Sequence, residues 1–177
     1  CLSLVGSEMC IRDINIDNPK LNCRLEGFNQ FSPKRIILDR NLQIDLKSYI
    51  AKSIKKKNTI IFHNSNDKSK IKLLKKRGTT LIKQSTDKYK NLDLKKILKD
   101  LYKMEIRNLL VEGGDILTKN FLQKKLFNEF YMFRSSKNLS KNKKHVNFTS
   151  SNILNTKYNN HKINSKLASD KLTIYKN

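Results

Sequence analysis

The stretch Asn108-Leu-Leu-Val-Glu-Gly-Gly-Asp-Ile-Leu-Thr-Lys-Asn-Phe-Leu122 decides the fold. Residues 108–111 form a short apolar run, which is typical of a buried strand. The turn Glu112-Gly113-Gly114 ends this strand. The next residues predict a helix, because an apolar face recurs at helical spacing. That face consists of Ile116, Leu117, Asn120, Phe121 and Leu122.

A strand-to-helix turn with two glycines is suited to binding an anion. The first N–H groups of a helix have no partner within it, and the helix dipole favours negative charge at this end. Gly113 and Gly114 allow the backbone to approach a ligand closely, so a phosphate site is one interpretation. In the alternative, Asp115 caps the helix with its own carboxylate and the turn is a joint of any α/β protein.

Strand and helix patterns alternate along the rest of the chain. A strand at 35–39 precedes residues 45–54, which form either a short helix capped by Asp45 or a loop. From Thr59 to Leu126 the order strand, helix, strand, helix, strand, helix predicts a parallel sheet covered by helices. The elements before the glycine turn are strands at 59–62 and 79–82 and helices at 67–77 and 92–104. The residues predicted to face inward are Ile71, Leu73 and Leu74 in the first helix and Leu94, Ile97, Leu98, Leu101 and Tyr102 in the second.

The last third of the chain changes to an antiparallel pattern. Residues 127–134 predict a strand whose aromatic side chains lie in the core. A polar, lysine-rich loop follows at 135–144. Residues 157–166 and 171–176 then predict two strands of a hairpin around Ala168-Ser169-Asp170. Pattern alone therefore indicates an α/β protein.

Three motifs, in order and at matching spacing, resemble a known family. They are Asp17-Asn-Pro-Lys-Leu-Asn-Cys-Arg24, Ser32-Pro-Lys-Arg-Ile-Ile-Leu-Asp39 and Leu110-Val-Glu-Gly-Gly114. Together they resemble the reductase domain of the bifunctional riboflavin-biosynthesis deaminase/reductase, from about Ile14 to the C-terminus. Asn18 departs from the family, which usually has a second Asp there. The resemblance implies a dihydrofolate-reductase-like α/β fold, with a central mixed, mainly parallel β-sheet, flanking helices and a C-terminal antiparallel hairpin.

The resemblance also implies a reaction and a site. The reaction is NADPH-dependent hydride transfer that reduces the ribosyl group of a phosphoribosylamino-pyrimidine, 5-amino-6-(5-phosphoribosylamino)uracil, to ribityl. The implied catalytic residues are Asp17 and Glu112, and the implied substrate-binding residues are Leu21, Arg24 and Glu112. The implied cofactor-binding residues are Asp17, Arg40, Gly113, Gly114, Asp115, Ile116, Leu117, Thr118 and Lys119.

Structural alternatives exist for several of these residues. Asp17 would form a turn ahead of Pro19, Leu21 would be ordinary core, and Arg24 and Arg40 would be solvated cations. Glu112 would be a capping or ion-pairing carboxylate. A dihydrofolate-reductase-type enzyme is a related alternative, which the Val-Glu-Gly-Gly turn and the lack of Trp disfavour.

The net charge of +23 raises the alternative of a nucleic-acid-binding module. The positive charge is mostly lysine, and Lys, Asn and Ile share A/T-rich codons, so codon bias explains the composition. Arginine, which reads phosphates and bases best, is scarce, which disfavours nucleic acid as a partner. Aromatic platforms for bases are also missing, because the aromatic residues of 127–134 are assigned to the core.

The cysteines, histidines and apolar runs of the sequence bear on metal sites, disulfides and cellular location. The three cysteines and three histidines show no spacing of a metal site or disulfide framework, and His63 is interpreted as a loop histidine. The zinc deaminase signature is absent, and the family resemblance therefore implies a deaminase domain upstream in a longer protein. No apolar run is long enough to cross a membrane, and the cytoplasm is the expected location. A homo-oligomer is compatible with the sequence.

The first thirteen residues, Cys1 to Asp13, resemble translated adapter sequence more than a protein segment. The reductase domain is therefore expected to span 14–177 and to lack its native first strand, and restoring that strand is expected to raise stability and activity. In the alternative, Leu4-Val5-Gly6-Ser7 is the end of the family's first strand, but nine residues separate it from Asp17 where about five are expected. Residues 2–5 are short and apolar enough to form a strand in either case.

Overall fold

A computed structural model describes residues 3–5, 18–54, 58–135, 148–163 and 170–177. The chain divides into two compact units, Cys1–Leu117 and Thr118–Asn177. In the first unit the strands are β1 (Ser3–Val5), β2 (Arg35–Leu38), β3 (Thr59–His63), β4 (Thr80–Lys83) and β5 (Leu110–Val111). Its helices are a short 3-10 helix (Asn29–Phe31), α1 (Tyr49–Lys52), α2 (Lys68–Lys76) and α3 (Leu94–Lys103). Helix α4 (Asp115–Gln123) crosses the boundary, and the second unit holds β6 (Glu129–Arg134), α5 (Ser151–Lys157), β7 (Asn159–Ile163) and β8 (Lys171–Lys176).

The first unit contains a five-stranded sheet in the order β4-β3-β2-β1-β5. Every pairing in it is parallel, from Ile60 opposite Thr80 to Ser3 opposite Leu110. Strand β1 lies in the interior, between β2 and β5. The predicted parallel sheet is thereby confirmed, and residues 3–5, within the segment interpreted as adapter-derived, pair with both neighbours.

Strands β2 and β3 are buried along their whole length. Because side chains alternate along a strand, Ile37 and Ile61 point to one face of the sheet, and Ile36 and Ile60 point to the other. The first face packs against helices α1 and α2 in a continuous core. The buried members of that core are Ile37, Leu42, Ile44, Ile50, Ala51, Ile54, Ile61 and Leu74. Continuous apolar strands of this kind are typical of parallel sheets buried on both sides.

Side-chain caps set where the helices begin. The carboxylates of Asp67 and Asp93 accept backbone N–H groups at the starts of α2 and α3, as expected for an N-cap. The predicted cap at Asp45 is wrong. Helix α1 is shorter than residues 45–54, and its cap is Ser48, whose Oγ accepts the N–H of Ala51. Asp45 instead accepts the N–H of Lys47 at 2.8 Å and stabilises the turn before the helix.

Two residues predicted to face inward are exposed. Leu73 on α2 and Tyr102 on α3 lie at the edge of the apolar face, and both are exposed to solvent. The centres of the two faces are placed as predicted, with Leu74, Ile97 and Leu101 buried. The periodicity therefore locates the middle of a buried face better than its borders.

The second unit has a three-stranded antiparallel sheet in the order β6-β8-β7. The predicted hairpin is confirmed in β7 and β8, but its first strand begins at Asn159 because Lys157 ends helix α5, which the sequence did not predict. The predicted turn at 168–169 and the loop at 136–144 lie outside the described residues. Leu122, Leu154, Tyr158 and Tyr175 form the core of this unit.

The aromatic residues of 127–134 divide between core and surface. Phe127 and Phe130 pack against the core of the second unit. Tyr131 and Phe133 are exposed, so their prediction as core residues is wrong. Alternation along β6 explains the division, because consecutive side chains of a strand point to opposite faces.

Candidate active site

The carboxyl ends of β2, β3 and β4 are joined by backbone hydrogen bonds that continue past the strands. The N–H of Asn64 donates to the Arg40 carbonyl at 2.8 Å, and the N–H of Gln84 donates to the His63 carbonyl at 2.7 Å. The side-chain amide of Asn64 also donates to the Gln84 carbonyl at 2.7 Å. Ligands of open α/β sheets bind beyond this end of the strands, so the edge is the first place to look for a site.

Asp39 organises the loop that follows β2. Its buried carboxylate accepts the N–H groups of Gln43 and Ile44, each at 2.8 Å. Burial raises the pKa of the Asp39 carboxyl above its ordinary value, and the hydrogen bonds from Gln43 and Ile44 oppose that rise. Arg40 lies in the loop between Asp39 and Gln43. The hydrogen bonds of Asp39 therefore fix the loop that carries Arg40, the residue predicted to bind the cofactor.

Arg40 is half-buried at this edge. Its guanidinium donates to the carbonyl of Lys90 and, at 3.4 Å, to the side chain of Asn41. These contacts hold the guanidinium at the edge of the sheet. The planar guanidinium is a group that suits bidentate contact with an anion.

His63 is the last residue of β3 and is buried, so its interpretation as a loop histidine is wrong. Burial lowers the pKa of His63 below its ordinary value, a backbone hydrogen bond with Ser65 opposes this, and Lys83 and Lys75 lower it further. Its Nδ1 atom is buried and makes no hydrogen bond with the part of the chain that the structure describes. Buried polar atoms normally have partners, so this nitrogen is a candidate contact for a polar ligand.

The glycine turn lies at the same edge of the sheet. Leu4 of β1 lies opposite Ile36 of β2 on one side and opposite Val111 of β5 on the other. The turn after β5 and the loop after β2 are therefore two strand spacings apart, about 10 Å. The predicted buried strand at 108–111 is wrong in two respects: β5 contains only Leu110 and Val111, and Leu110 is 51% exposed. β5 is an edge strand within the described sheet, which explains this exposure.

Gly113 has a structural reason to be glycine. A Cβ atom at this position would lie 2.7 Å from Cδ2 of Leu117, which is buried one helical turn later. Asp115 is the first residue of α4 and not a cap before it, so its alternative role as N-cap is not what the structure shows. As an acidic residue in the first turn, Asp115 still interacts favourably with the helix dipole.

The remaining predicted cofactor residues follow along α4. Leu117 is buried, Thr118 is half-buried, and Ile116 and Lys119 are exposed. Leu117 therefore packs in the interior, whereas the polar side chains of Thr118 and Lys119 are accessible to solvent. Glu112, which directly precedes the turn, is exposed.

The loop at 18–34 holds the predicted substrate residues. Leu21 is half-buried and packs against the core of the first unit, which agrees with its alternative as core. Arg24 is exposed, and Asp17 lies outside the described residues. Asn18 accepts the backbone N–H of Tyr49 at 2.6 Å, at the start of α1. The residue that departs from the family motif thus ties this loop to a helix.

Comparison with known proteins agrees with this geometry. The family model described as the RibD C-terminal domain matches residues 2–169. The chain belongs to the RibD C-terminal domain family. A curated relative, riboflavin biosynthesis protein RibD from Aquifex aeolicus (strain VF5), is 31% identical over 135 residues, which are 76% of this chain and 34% of that protein.

Solved structures of RibD proteins have the same fold. RibD from Acinetobacter baumannii aligns with a TM-score of 0.71 and 19% identity, over 99% of this chain and 46% of that one. A pyrimidine reductase-like protein from Corynebacterium diphtheriae aligns with a TM-score of 0.66 and 12% identity, over 99% of this chain and 75% of that one. The predicted dihydrofolate-reductase-like α/β fold is confirmed. The chain spans about a third of the curated RibD and under half of the solved one.

None of the helices in the described ranges is long and apolar enough to cross a membrane. Among the same residues, no group of three or more His, Cys, Asp and Glu side chains could hold a metal ion. The polar groups that the described edge does offer are a guanidinium, a buried imidazole and a helix start, which suit an anionic ligand.

Proposed function

We propose that this chain is the reductase domain of a riboflavin-biosynthesis protein. It reduces the ribosyl group of 5-amino-6-(5-phosphoribosylamino)uracil to ribityl with NADPH. Membership of the RibD C-terminal domain family supports the reaction class. The observation that carries the proposal is the Gly113–Gly114 turn, which opens helix α4 at the carboxyl edge of the parallel sheet.

The described residues fit the phosphates of a dinucleotide. A bound NADPH supplies the hydride, so the chain must bind it, orient it and exclude water. The turn and the first N–H groups of α4 hold the pyrophosphate, and Asp115, Ile116, Leu117, Thr118 and Lys119 build that helix start. Arg40 binds the ribose phosphate, two strands away at the same edge. The unpartnered Nδ1 of His63 lies on the strand between Arg40 and Gln84 and supports a polar ligand there.

The substrate contacts come from the loop before β2 and from the residue that follows β5. Glu112 directly follows β5, beside the glycine turn, and contacts the substrate. Arg24 is an exposed guanidinium suited to a terminal phosphate, which it grips through two parallel hydrogen bonds. Asp17 holds the cofactor and substrate hydroxyls together, and Leu21 bounds the pocket from its place against the core.

The proposed setting follows from the same family. The preceding deamination is catalysed by a domain outside this chain. The substrate is a small phosphorylated pyrimidine, and neither nucleic acid nor a membrane is needed. A cytoplasmic location suits an enzyme that uses NADPH. The positive surface, with 38 basic against 15 acidic residues, attracts a phosphorylated substrate.

Replacing Gly114 by Val tests the pyrophosphate site. The added side chain stands where the backbone must approach the ligand, so NADPH should bind at least about tenfold more weakly. NADPH fluorescence measures the dissociation constant, and thermal melting shows that the variant is folded. Gln123→Val is the control, because Gln123 is exposed at the far end of the same helix, and this variant should keep the parental affinity. A folded Gly114→Val protein with parental NADPH affinity would place the site elsewhere.

A further inference from the structure

The loop that follows β4 is closed by hydrogen bonds at the carboxyl edge of the first unit's sheet. Its two arms are joined by a β-bridge between Thr86 and Leu92. Next to this bridge, the N–H of Asp93 donates to the Ser85 carbonyl at 3.1 Å. The side chain of Leu92 is buried, which anchors the loop to the unit that carries it. The tip of the loop is therefore presented on a closed base.

Asp87 orders the tip of this loop. Its carboxylate accepts the N–H of Tyr89 at 2.9 Å and the N–H of Asn91 at 3.0 Å. In the backbone, the N–H of Asp87 donates to the Asn91 carbonyl at 2.7 Å, and the N–H of Lys90 donates to the Asp87 carbonyl at 2.9 Å. Short local bonds from an Asp side chain to following N–H groups are typical of stable turns. They fix the backbone that carries the Tyr89 side chain.

The Tyr89 side chain is 71% exposed although its backbone is ordered. The Nζ atom of Lys88 lies over the ring, 5.0 Å from its centroid. An aromatic ring that is accessible to solvent can stack on a nucleic base, because every base has a π-face. Tyrosine also loses little conformational freedom in such a contact, since its side chain has only two χ angles.

The guanidinium of Arg40 joins this tip to the loop after β2. It donates to the carbonyl of Lys90, the residue that follows Tyr89. Under the proposed function, Arg40 binds the phosphate on the adenosine ribose of NADPH. The phosphate and the adenine are attached to neighbouring carbons of that ribose, so the adenine must lie beside the Arg40 contact. An exposed aromatic ring one residue from Lys90 is placed to meet it.

We propose that Tyr89 stacks on the adenine of NADPH. This inference rests on the proposed function and adds a residue that lies outside the three sequence motifs. Lys88 lies over one face of the Tyr89 ring, and the adenine takes the other. The adenine is common to NADPH and NADH, whereas the ribose phosphate belongs to NADPH alone. Tyr89 therefore contributes to the affinity for both dinucleotides, and Arg40 discriminates between them.

Replacing Tyr89 by Ser removes the stacking ring. NADPH, NADH and adenosine 2′,5′-bisphosphate should each bind at least about fivefold more weakly and by a similar factor, because all three carry the adenine. Fluorescence gives the dissociation constants of the two dinucleotides, and isothermal titration calorimetry gives that of the bisphosphate. Tyr89→Phe keeps the ring and should retain the parental affinities. Thermal melting shows that each variant is folded.

Tyr102→Ser is the matched control. Tyr102 is 63% exposed, and the guanidinium of Arg107 lies over its ring, 4.0 Å from the centroid. This tyrosine lies near the C-terminal end of α3, on the way to the start of β5, and thus at the amino edge of the sheet. Its replacement should leave all three affinities at the parental values.

The outcomes separate the stacking from the proposed function. Parental affinities in a folded Tyr89→Ser protein would overturn the stacking while the proposed function stands. A loss for NADPH without one for NADH would overturn it too, by assigning Tyr89 to the phosphate, and so would an equal loss in Tyr89→Phe, which would assign the contact to the hydroxyl. A parent that binds neither NADPH nor the bisphosphate would overturn the proposed function and the stacking with it.

Discussion

Strands β2 and β3 of the first unit's parallel sheet are buried along their whole length, whereas strand β6 of the second unit's antiparallel sheet is exposed at alternate positions. In β2 and β3 every residue is buried, so these strands leave only their ends for chemistry. In β6 burial alternates, and Tyr131 and Phe133 reach solvent. The first sheet thus offers polar groups at its carboxyl edge, and we expect small molecules to bind there.

The largest effect is expected at the centre of the first sheet. Leu4→Pro removes an N–H from β1, which pairs on both sides, with β2 and β5. A proline there costs about 3 kcal/mol or more, of the roughly 5–15 kcal/mol that stabilises a domain. Chemical denaturation should show unfolding at a clearly lower denaturant concentration than in the parent. Leu4→Val, which keeps the N–H, should cost less than about 1.5 kcal/mol. Equal stability of the two variants would remove β1 from the sheet.

A second prediction compares buried and exposed side chains in the two sheets. Ile61→Ala empties space at the core of the first sheet, where Ile61 is fully buried, and should lower the free energy of unfolding by about 2–5 kcal/mol. Phe133→Ala removes a larger side chain from the exposed face of the second sheet. This variant should change the free energy of unfolding by no more than about 0.5 kcal/mol. Similar losses in both variants would mean that the outward face is packed.

The contrast between the sheets also explains what the sequence can predict. Apolar runs such as Ile36-Ile-Leu38 locate the strands of the first sheet, because their short length and β-branched residues favour a strand buried on both faces. The exposure of Tyr131 and Phe133 escapes prediction, since an aromatic strand in the core and one on a surface have the same composition. Helix α5 escapes it because only Leu154 is fully buried among its seven residues, and a short, polar helix has little periodicity.

The candidate site is predicted unevenly for a related reason. Motifs that keep their spacing, such as the glycine turn and Asp39 with Arg40, indicate the sheet edge through residue order alone. His63 lies at the same edge, but the sequence does not predict its role there. Its burial and the missing hydrogen bond at Nδ1 are visible only in the folded chain. The structural reason for Gly113, contact with the Leu117 side chain, also depends on the folded helix.

A third prediction uses the pH dependence of the first sheet. The pKa of His63 lies below its ordinary value of 6.5, because burial disfavours the charged ring. Between the lowered pKa and 6.5 the unfolded chain binds more protons than the folded one, so stability rises with pH across this window and is lost as pH falls. Each unit of lowering corresponds to about 1.4 kcal/mol. Denaturation from about pH 7.5 to about pH 5 should show a smaller loss in His63→Gln than in the parent. Parallel curves for the two proteins would show that His63 does not titrate in this way.

The smallest effect concerns a single cation, and it tests whether the carboxyl edge of the first sheet is the ligand site. Arg40 is held there by the Lys90 carbonyl and by the loop that Asp39 orders, so its guanidinium is positioned before a ligand arrives. A hydrogen bond from a charged group contributes roughly 1.5–3 kcal/mol, and solvent screening at a half-buried position reduces it. Arg40→Ala should therefore weaken NADPH about tenfold and leave NADH, which lacks the ribose phosphate, nearly unchanged. Arg134→Ala makes the same substitution on the second sheet, where affinity for both cofactors should stay at the parental value. An equal loss of NADPH and NADH binding in Arg40→Ala would show that Arg40 supports the loop and does not contact the phosphate.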